Sequence, residues 1–263
     1  MRDNQRKWAL VTGATGGLGQ VFCEALARRD YNLVLSARHL DALEALAGRL
    51  RSTHGVDVLT EAVDLAEPNS AQALKTAIDA RGIAVETLIN NAGFGIQGEF
   101  RSQPIERIDG MIAVNVVALT ELTHAFANDM AARGGGHILL LASTAAFEPI
   151  PGYAVYAATK AYVLSLAHAL NRELRRRKVV VTALCPGPTE TPFFTNAGHT
   201  IRAGAQAIMM KPEPVVEIGL KALYGGKASV VAGIFNRIIA SSTRLAPRTL
   251  QARVAAVFMG ARK

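Results

Sequence analysis

An apolar run, Trp8–Thr12, ends in Gly13-Ala14-Thr15-Gly16-Gly17-Leu18-Gly19 and passes straight into a helical pattern over residues 20–29, with Val21, Phe22, Ala25 and Leu26 facing inward. This order of strand, glycine turn and helix start constrains the fold more than any other feature. At a first βα junction the helix N-terminus offers unpaired N–H groups, which can hold a pyrophosphate. Gly13, Gly17 and Gly19 follow a TGxxxGxG spacing, and small residues let the chain turn tightly and approach phosphates. An ordinary tight turn has the same composition, so the rest of the chain must decide. A P-loop is disfavoured, because no Gly-Lys-Ser/Thr follows.

The alternation continues. Strands are predicted at 32–37, 56–63, 87–89, 137–142, 179–184 and 229–231. Helices are predicted at 40–51, where Leu43, Leu46, Ala47 and Leu50 share a face, and at 71–81, 105–133 and 154–177. Strands alternating with helices of about ten residues or more predict parallel βαβ units. The expected architecture is α/β, a doubly wound Rossmann fold with about seven parallel strands and helices on both faces. With 263 residues, half of them hydrophobic, and no linker or repeat, a single domain over 1–263 is expected. Within it, 190–212 reads as a substrate lid and 235–263 as a basic tail.

The two cysteines, Cys23 and Cys185, lie in apolar segments with no CxxC or Cys/His cluster. They suit core packing in a reducing, cytoplasmic setting. Residues 1–7 lack the apolar stretch of a signal peptide, and no run of about 18 apolar residues suggests a spanning helix. The formal charge of +8 sits in the tail: from residue 200 onward there are ten Lys/Arg and two acids, Glu213 and Glu217, so the first 199 residues balance. No nucleic-acid partner is expected. None of His39, His54, His124, His137, His168 and His199 sits in a metal-ligand pattern, and no metal is expected.

Tyr156-Ala157-Ala158-Thr159-Lys160 places a phenol and an ammonium one helical turn apart. A neighbouring cation favours the phenolate, so the Tyr156 pKa is expected to fall from its usual ~10 toward the working pH. Such a phenol can exchange a proton with a carbonyl or alcohol oxygen. A half-buried tyrosine beside a solvated lysine is the plainer alternative. The second strand ends in Ser36-Ala37-Arg38-His39, with no carboxylate to receive a ribose 2′-hydroxyl. Arg38 can grip a 2′-phosphate in a forked contact, or it is a surface charge. Asp64 is placed to meet an adenine edge, or to cap the helix that follows.

At Asn90-Asn91-Ala92-Gly93 the motifs become collectively specific. With TGATGGLG at 12–19, Asn115, Ser143, Tyr156-x-x-x-Lys160 and Pro186-Gly187, residues 8–190 resemble the short-chain dehydrogenase/reductase family in motif order and spacing. The resemblance implies an oxidoreductase moving a hydride between a nicotinamide and a ketone or secondary alcohol, and Arg38 without a carboxylate at Ala37 makes NADP(H) the expected cofactor. It implies catalytic roles for Asn115, Ser143, Tyr156 and Lys160. Asn115 would bond backbone and help hold a water. Ser143 would orient the substrate oxygen, Tyr156 would move the proton, and Lys160 would bond the nicotinamide ribose and depress the Tyr156 pKa. Cofactor contacts are implied for Gly13, Thr15, Gly17, Leu18, Gly19, Arg38, Asp64, Leu65, Asn91, Ala92, Gly93, Tyr156, Lys160, Pro186, Gly187, Thr189 and Thr191.

The predicted lid contains Phe193, Phe194, Ile201, Ile208, Met209 and Met210. These suggest an apolar substrate, steroid-like, fatty-acyl or aromatic; they equally suit a lid packed onto the body. Phe94, Ala145, Glu148, Pro149 and Tyr153 are expected at the pocket edge. Pairing of the helices at 105–133 and 154–177 into a homo-oligomer, a dimer or tetramer, is the family's habit. The basic tail suits peripheral contact with an anionic membrane, an acidic partner or its own domain. A non-catalytic dinucleotide-binding regulator of the same fold is the alternative function.

Overall fold

The computed structural model describes residues 6–197, 209–243 and 246–259. Its centre is a seven-stranded parallel sheet of order β3-β2-β1-β4-β5-β6-β7. The strands are β1 (Trp8–Thr12), β2 (Asn32–Ala37), β3 (Val58–Ala62), β4 (Val85–Asn90), β5 (Gly136–Leu141), β6 (Val179–Cys185) and β7 (Ser229–Val231). Strand order reverses between β1 and β4, so the crevice at their carboxyl ends is the topological switch point where ligands bind in such sheets. Both faces are covered, which is why the strands read as continuous apolar runs. Ala9 and Val11 point into one apolar cluster, and Leu10 into the other.

The first cluster lies under α1 (Gly17–Ala27), α2 (Leu40–His54) and α8 (Pro212–Tyr224). Helix α2 stops at Gly55, whose left-handed φ of 62° lets its N–H reach Arg51 O. Helix α8 begins with a proline in its first turn and Glu213 near its positive end. It buries Val215, Val216, Leu220 and Leu223, and its Glu217 pairs with Arg29, in the turn after α1, at 2.6 Å. No helix was expected over this stretch.

The second cluster lies under α3 (Ser70–Asp79), α5 (Leu119–Ala132) and α6 (Ala154–Glu173), while α4 (Ile105–Ile112) gives Met111 to a smaller third cluster. Together residues Ile105–Ala132 have the length and hydropathy to cross a membrane, but Met111, Leu122, Phe126 and Met130 are fully buried against the fold. The predicted uniform helix over 105–133 is interrupted: Ala113–Ala118 forms a π-helical turn between α4 and α5. Periodicity could not reveal this, because a single wider turn barely disturbs the apolar spacing. Helix α1 starts at Gly17 rather than residue 20, so Gly17 and Gly19 lie in its first turn.

Past β6 the chain forms a four-residue helix, α7 (Phe193–Asn196), then α8, β7, α9 (Ile234–Ser242) and α10 (Arg248–Met259). Residues 188–190 clip to Met210: Met210 N donates to Pro188 O and Glu190 N to Met210 O. Ile201 and Ile208 of the predicted lid lie outside the described residues.

Candidate active site

The glycine turn forms a cradle whose shape tolerates no side chains. Gly13 has φ +62°, and a Cβ there would come within 3.0 Å of Ala92 Cα. A Cβ on Gly19 would stand 2.1 Å from Gly13 O, and one on Gly17 would stand 2.6 Å from Thr191 Cβ. Helix α1 has no side-chain cap at Gly16 and no acid in its first turn. Its first amides therefore lack helical partners and face the switch-point crevice, which suits a pyrophosphate. Leu18 packs on the first cluster, and the Thr15 carbonyl accepts from Gln20 Nε2.

Asn91 fastens this cradle to β4. Its Nδ2 donates to Thr12 O at 2.9 Å and Gly13 O at 3.1 Å. Thr12 Oγ1 in turn accepts from the N–H groups of Asn91 and Ala92. Thr12, the first residue of the TGxxxGxG run, thus joins β1 to the segment after β4. Arg38 is exposed beyond β2 and forms no ion pair among the described residues, so its guanidinium is available to an anion. Asp64 is exposed, and its Oδ1 accepts from Ala66 N in a local turn. It does not cap α3, whose N-cap is Asn69 in a left-handed conformation. Leu65 beside it is buried in the second cluster.

The π turn carries Asn115, which is fully buried. Asn115 Oδ1 accepts from Phe94 N, while Nδ2 donates to Phe94 O and Thr159 Oγ1. One side chain thus ties the segment after β4 to the helix bearing Tyr156 and Lys160. Gly93 sits between these groups: a Cβ there would meet Asn115 Oδ1 at 2.9 Å and Lys160 Nζ at 3.4 Å. Thr159, which donates to Tyr156 O, was not singled out from sequence.

Ser143 lies just past β5 in extended backbone, and its Oγ accepts from Ala145 N at 3.1 Å. The hydroxyl proton is left for another acceptor. Lys160 Nζ donates to Leu141 O at 2.7 Å and lies 5.7 Å from the Tyr156 ring centre.

The expected fall in the Tyr156 pKa is not found. Burial pushes the phenol up to about 12, against a smaller downward pull from a hydrogen bond with Ser143. Lys160 gives its ammonium hydrogen bond to Leu141 O rather than to the phenol, and burial of the phenol prevails. Burial brings the Lys160 pKa down to about 8. Spacing along a helix put the two residues on one face, but it could not show that both lie in the protein interior. Cys185, at the end of β6 near Lys160, is a buried thiol pushed up to about 12.

An apolar group of Ile96, Met111, Ala145, Tyr153, Tyr156 and Ala157 surrounds the phenol, with Phe94 and Phe193 packed on it. Phe193 of α7 stacks at a tilt on Tyr156, ring centres 5.4 Å apart. Gly95, also missed from sequence, leaves room for both rings, since a Cβ would meet Phe193 at 3.0 Å and Tyr156 at 3.1 Å. Glu148 is partly buried, and desolvation raises its pKa. Pro186 O accepts from Thr144 N, and Thr189 Oγ1 donates to Gly187 O. Gly187 faces Asn236 of α9, whose side chain would lie 2.3 Å from a Cβ. Thr191 abuts Gly17 across the crevice, so the segment after β6 touches both the cradle and Tyr156.

The sequence matches the short chain dehydrogenase family over residues 7–202. It is 28% identical over 239 residues to a 7beta-hydroxysteroid dehydrogenase of Collinsella aerofaciens, covering 90% of each chain. The structure is similar to a short-chain dehydrogenase from Sphingobium yanoikuyae in complex with NADPH, with TM-score 0.80 and 33% identity over 91% of this chain and 94% of that one. It is also similar to the bulky-bulky ketone specific alcohol dehydrogenase from Comamonas testosteroni, with TM-score 0.77 and 30% identity over 91% and 93% of the two chains.

Proposed function

The chain belongs to the short-chain dehydrogenase/reductase family of oxidoreductases acting on CH–OH donors, and from that premise we propose that it is an NADPH-dependent reductase of bulky apolar ketones. The observation that carries this reading is the apolar wall around a neutral Tyr156 phenol, with the Ser143 hydroxyl bonded to it.

The glycine cradle and the first turn of α1 would hold the pyrophosphate, and Arg38 the 2′-phosphate. Bound NADPH supplies the hydride that reduces the carbonyl carbon. Ser143, whose Oγ accepts from Ala145 N, would turn its proton from the phenol to the carbonyl oxygen and aim that oxygen at Tyr156. Tyr156 gives its proton to that oxygen, yielding the alcohol. Lys160, held to Leu141 O beneath the site, would bond the nicotinamide ribose. Asn115 positions the helix carrying both residues through its bonds to Phe94 and Thr159.

Preference for NADPH is supported by the unpaired Arg38 and the lack of a carboxylate from Ser36 to His39. An apolar ketone of steroid-like bulk is supported by Ile96, Met111, Tyr153 and Phe193 around the phenol, and by the substrates named for two of the relatives. The test is a panel of steroid, 3-oxoacyl and aromatic ketones incubated with NADPH, following absorbance of the reduced nicotinamide. Turnover of a bulky ketone is expected. Binding of NADPH with no turnover across the panel would favour a non-catalytic regulator instead.

The protein is further proposed to work in the cytoplasm as a homodimer or tetramer paired through α4, α5 and α6. Ile112, Val117 and Tyr162 are exposed there, and Thr120 and Tyr162 hydroxyls bond at 2.9 Å between the helices. Sedimentation should show an oligomer at micromolar concentration that Val117→Glu weakens; a monomer throughout would count against this pairing.

A further inference from the structure

The segment after α8 joins two features that seldom coincide on a water-facing surface. Helix α9 turns Asn236 and Ala240 inward: Asn236 Nδ2 donates to Ala232 O and packs on Gly187, and Ala240 is buried. The other side presents Ile234, Phe235, Ile238 and Ile239 at 73%, 59%, 63% and 43% exposure. Helix α10 is held at the end of α9 by Gln251, which donates to Thr243 O and Ala246 O, and it exposes Leu250, Val254 and Val257. Contiguous exposed apolar side chains of this kind mark an interaction surface.

The charge of this part of the chain has one sign. Residues 218–263 contain eight Lys/Arg and no Asp or Glu. A groove of about 940 Å³ runs between α6, β7 and α9, lined by Lys221, Lys227, Arg237 and Arg248 together with Ile234, and no carboxylate enters it. None of Ser143, Tyr156 and Lys160 lines it, so it is separate from the candidate active site.

We propose that α9, with the basic groove beside it, docks the protein on an anionic lipid surface. Isoleucine and phenylalanine side chains would enter the headgroup–acyl boundary, while the arginines and lysines meet lipid phosphates. A second copy fits less well. A two-fold interface sets the same patch against itself, and here that would oppose cations with cations and no acid to pair them. Because Asn236 rests on Gly187 and lies 3.9 Å from Met210 Sδ, the docking face adjoins the segment that leads over Tyr156. The bilayer would then lie next to the way into the pocket. This inference does not depend on the proposed reaction.

The test is flotation of the full-length protein with vesicles of phosphatidylcholine alone or mixed with phosphatidylglycerol, at low and high salt. Binding to the anionic vesicles at low salt is expected. It should fall about tenfold or more at high salt, where surface charges are screened, and on neutral vesicles. Two variants, Phe235→Ser/Ile238→Ser and Arg237→Gln/Arg248→Gln, should each lose binding by a similar factor with unchanged melting temperature. The arginine variant carries the test if the apolar one fails to fold. Absence of binding to anionic vesicles at low salt would overturn the proposal, as would equal binding by wild type and the arginine variant. So would an apolar variant that turns a dimer into a monomer while vesicle binding persists.

Discussion

The chain up to the end of β6 and the chain after it solve different problems. The earlier part is nearly balanced in charge and carries the glycine cradle, Asn115, Ser143, Tyr156 and Lys160. Its key positions are fixed by backbone contacts so close that a single added carbon has no room. The later part is basic and turns isoleucine, phenylalanine and valine outward. It is anchored to the earlier part by α8 in the first cluster and by β7 on β6, and it meets the site through Thr191 on Gly17 and Phe193 on Tyr156. The contrast suggests that the first part defines the chemistry, and the second defines what the chemistry meets.

That division can be strained hardest at Gly19. Its Cβ would stand 2.1 Å from a backbone oxygen that cannot swing away. Gly19→Ala should cost ~1–3 kcal/mol as an overpacked site, lower the melting temperature by about 2–10 °C and abolish NADPH binding. Calorimetry with and without cofactor would show this; unaltered binding would mean that the turn does not approach the phosphates.

A smaller effect is expected from Ala37→Asp/Arg38→Ala. Replacing a charge-assisted phosphate contact by an acid facing the 2′-position should shift the preference for NADPH over NADH by about 10–100-fold. A wild type that uses both equally would reduce Arg38 to a surface charge.

The smallest effect concerns Lys160 and runs against activity. Its pKa in the folded protein is about 8, below the ordinary 10.5. Between those values the unfolded chain holds a proton that the folded chain lacks, so stability rises with pH across that window, and below pH 8 the full cost of the buried cation is present. Lys160→Met should therefore melt a few degrees higher than wild type at pH 7 without cofactor, despite losing the bond to Leu141 O. The gap should close as pH approaches about 10. A lower melting point at pH 7, or a gap that ignores pH, would show that the ammonium is well solvated in the fold.

The two parts also differed in how much their sequence disclosed. Up to β6, strand and helix patterns gave the sheet and its connections, because both faces are buried and the apolar runs are unambiguous. Glycines at 13, 17 and 19 marked the cradle, because only glycine fits there. The supports were less visible. Gly95 and Thr159 act through bonds or space that depend on distant segments, and the π turn at Asn115 leaves almost no trace in periodicity. The sign of the Tyr156 shift was missed because it depends on depth rather than spacing. After β6, helix α8 was overlooked, and the exposed face of α9 was read only as part of a basic tail. Nothing in a local pattern tells whether an amphipathic helix is covered.

The most direct test of the central claim is a comparison of wild type and Tyr156→Phe on the best ketone of the panel, under saturating NADPH. The substitution keeps the ring against Phe193 and removes only the proton donor. Wild type should oxidise NADPH in step with alcohol formation. The variant should bind NADPH as tightly and lose kcat by ~10²–10⁴-fold, the usual worth of general acid catalysis. A variant that keeps more than about a tenth of wild-type kcat would contradict the assignment of the Tyr156 phenol as the proton donor.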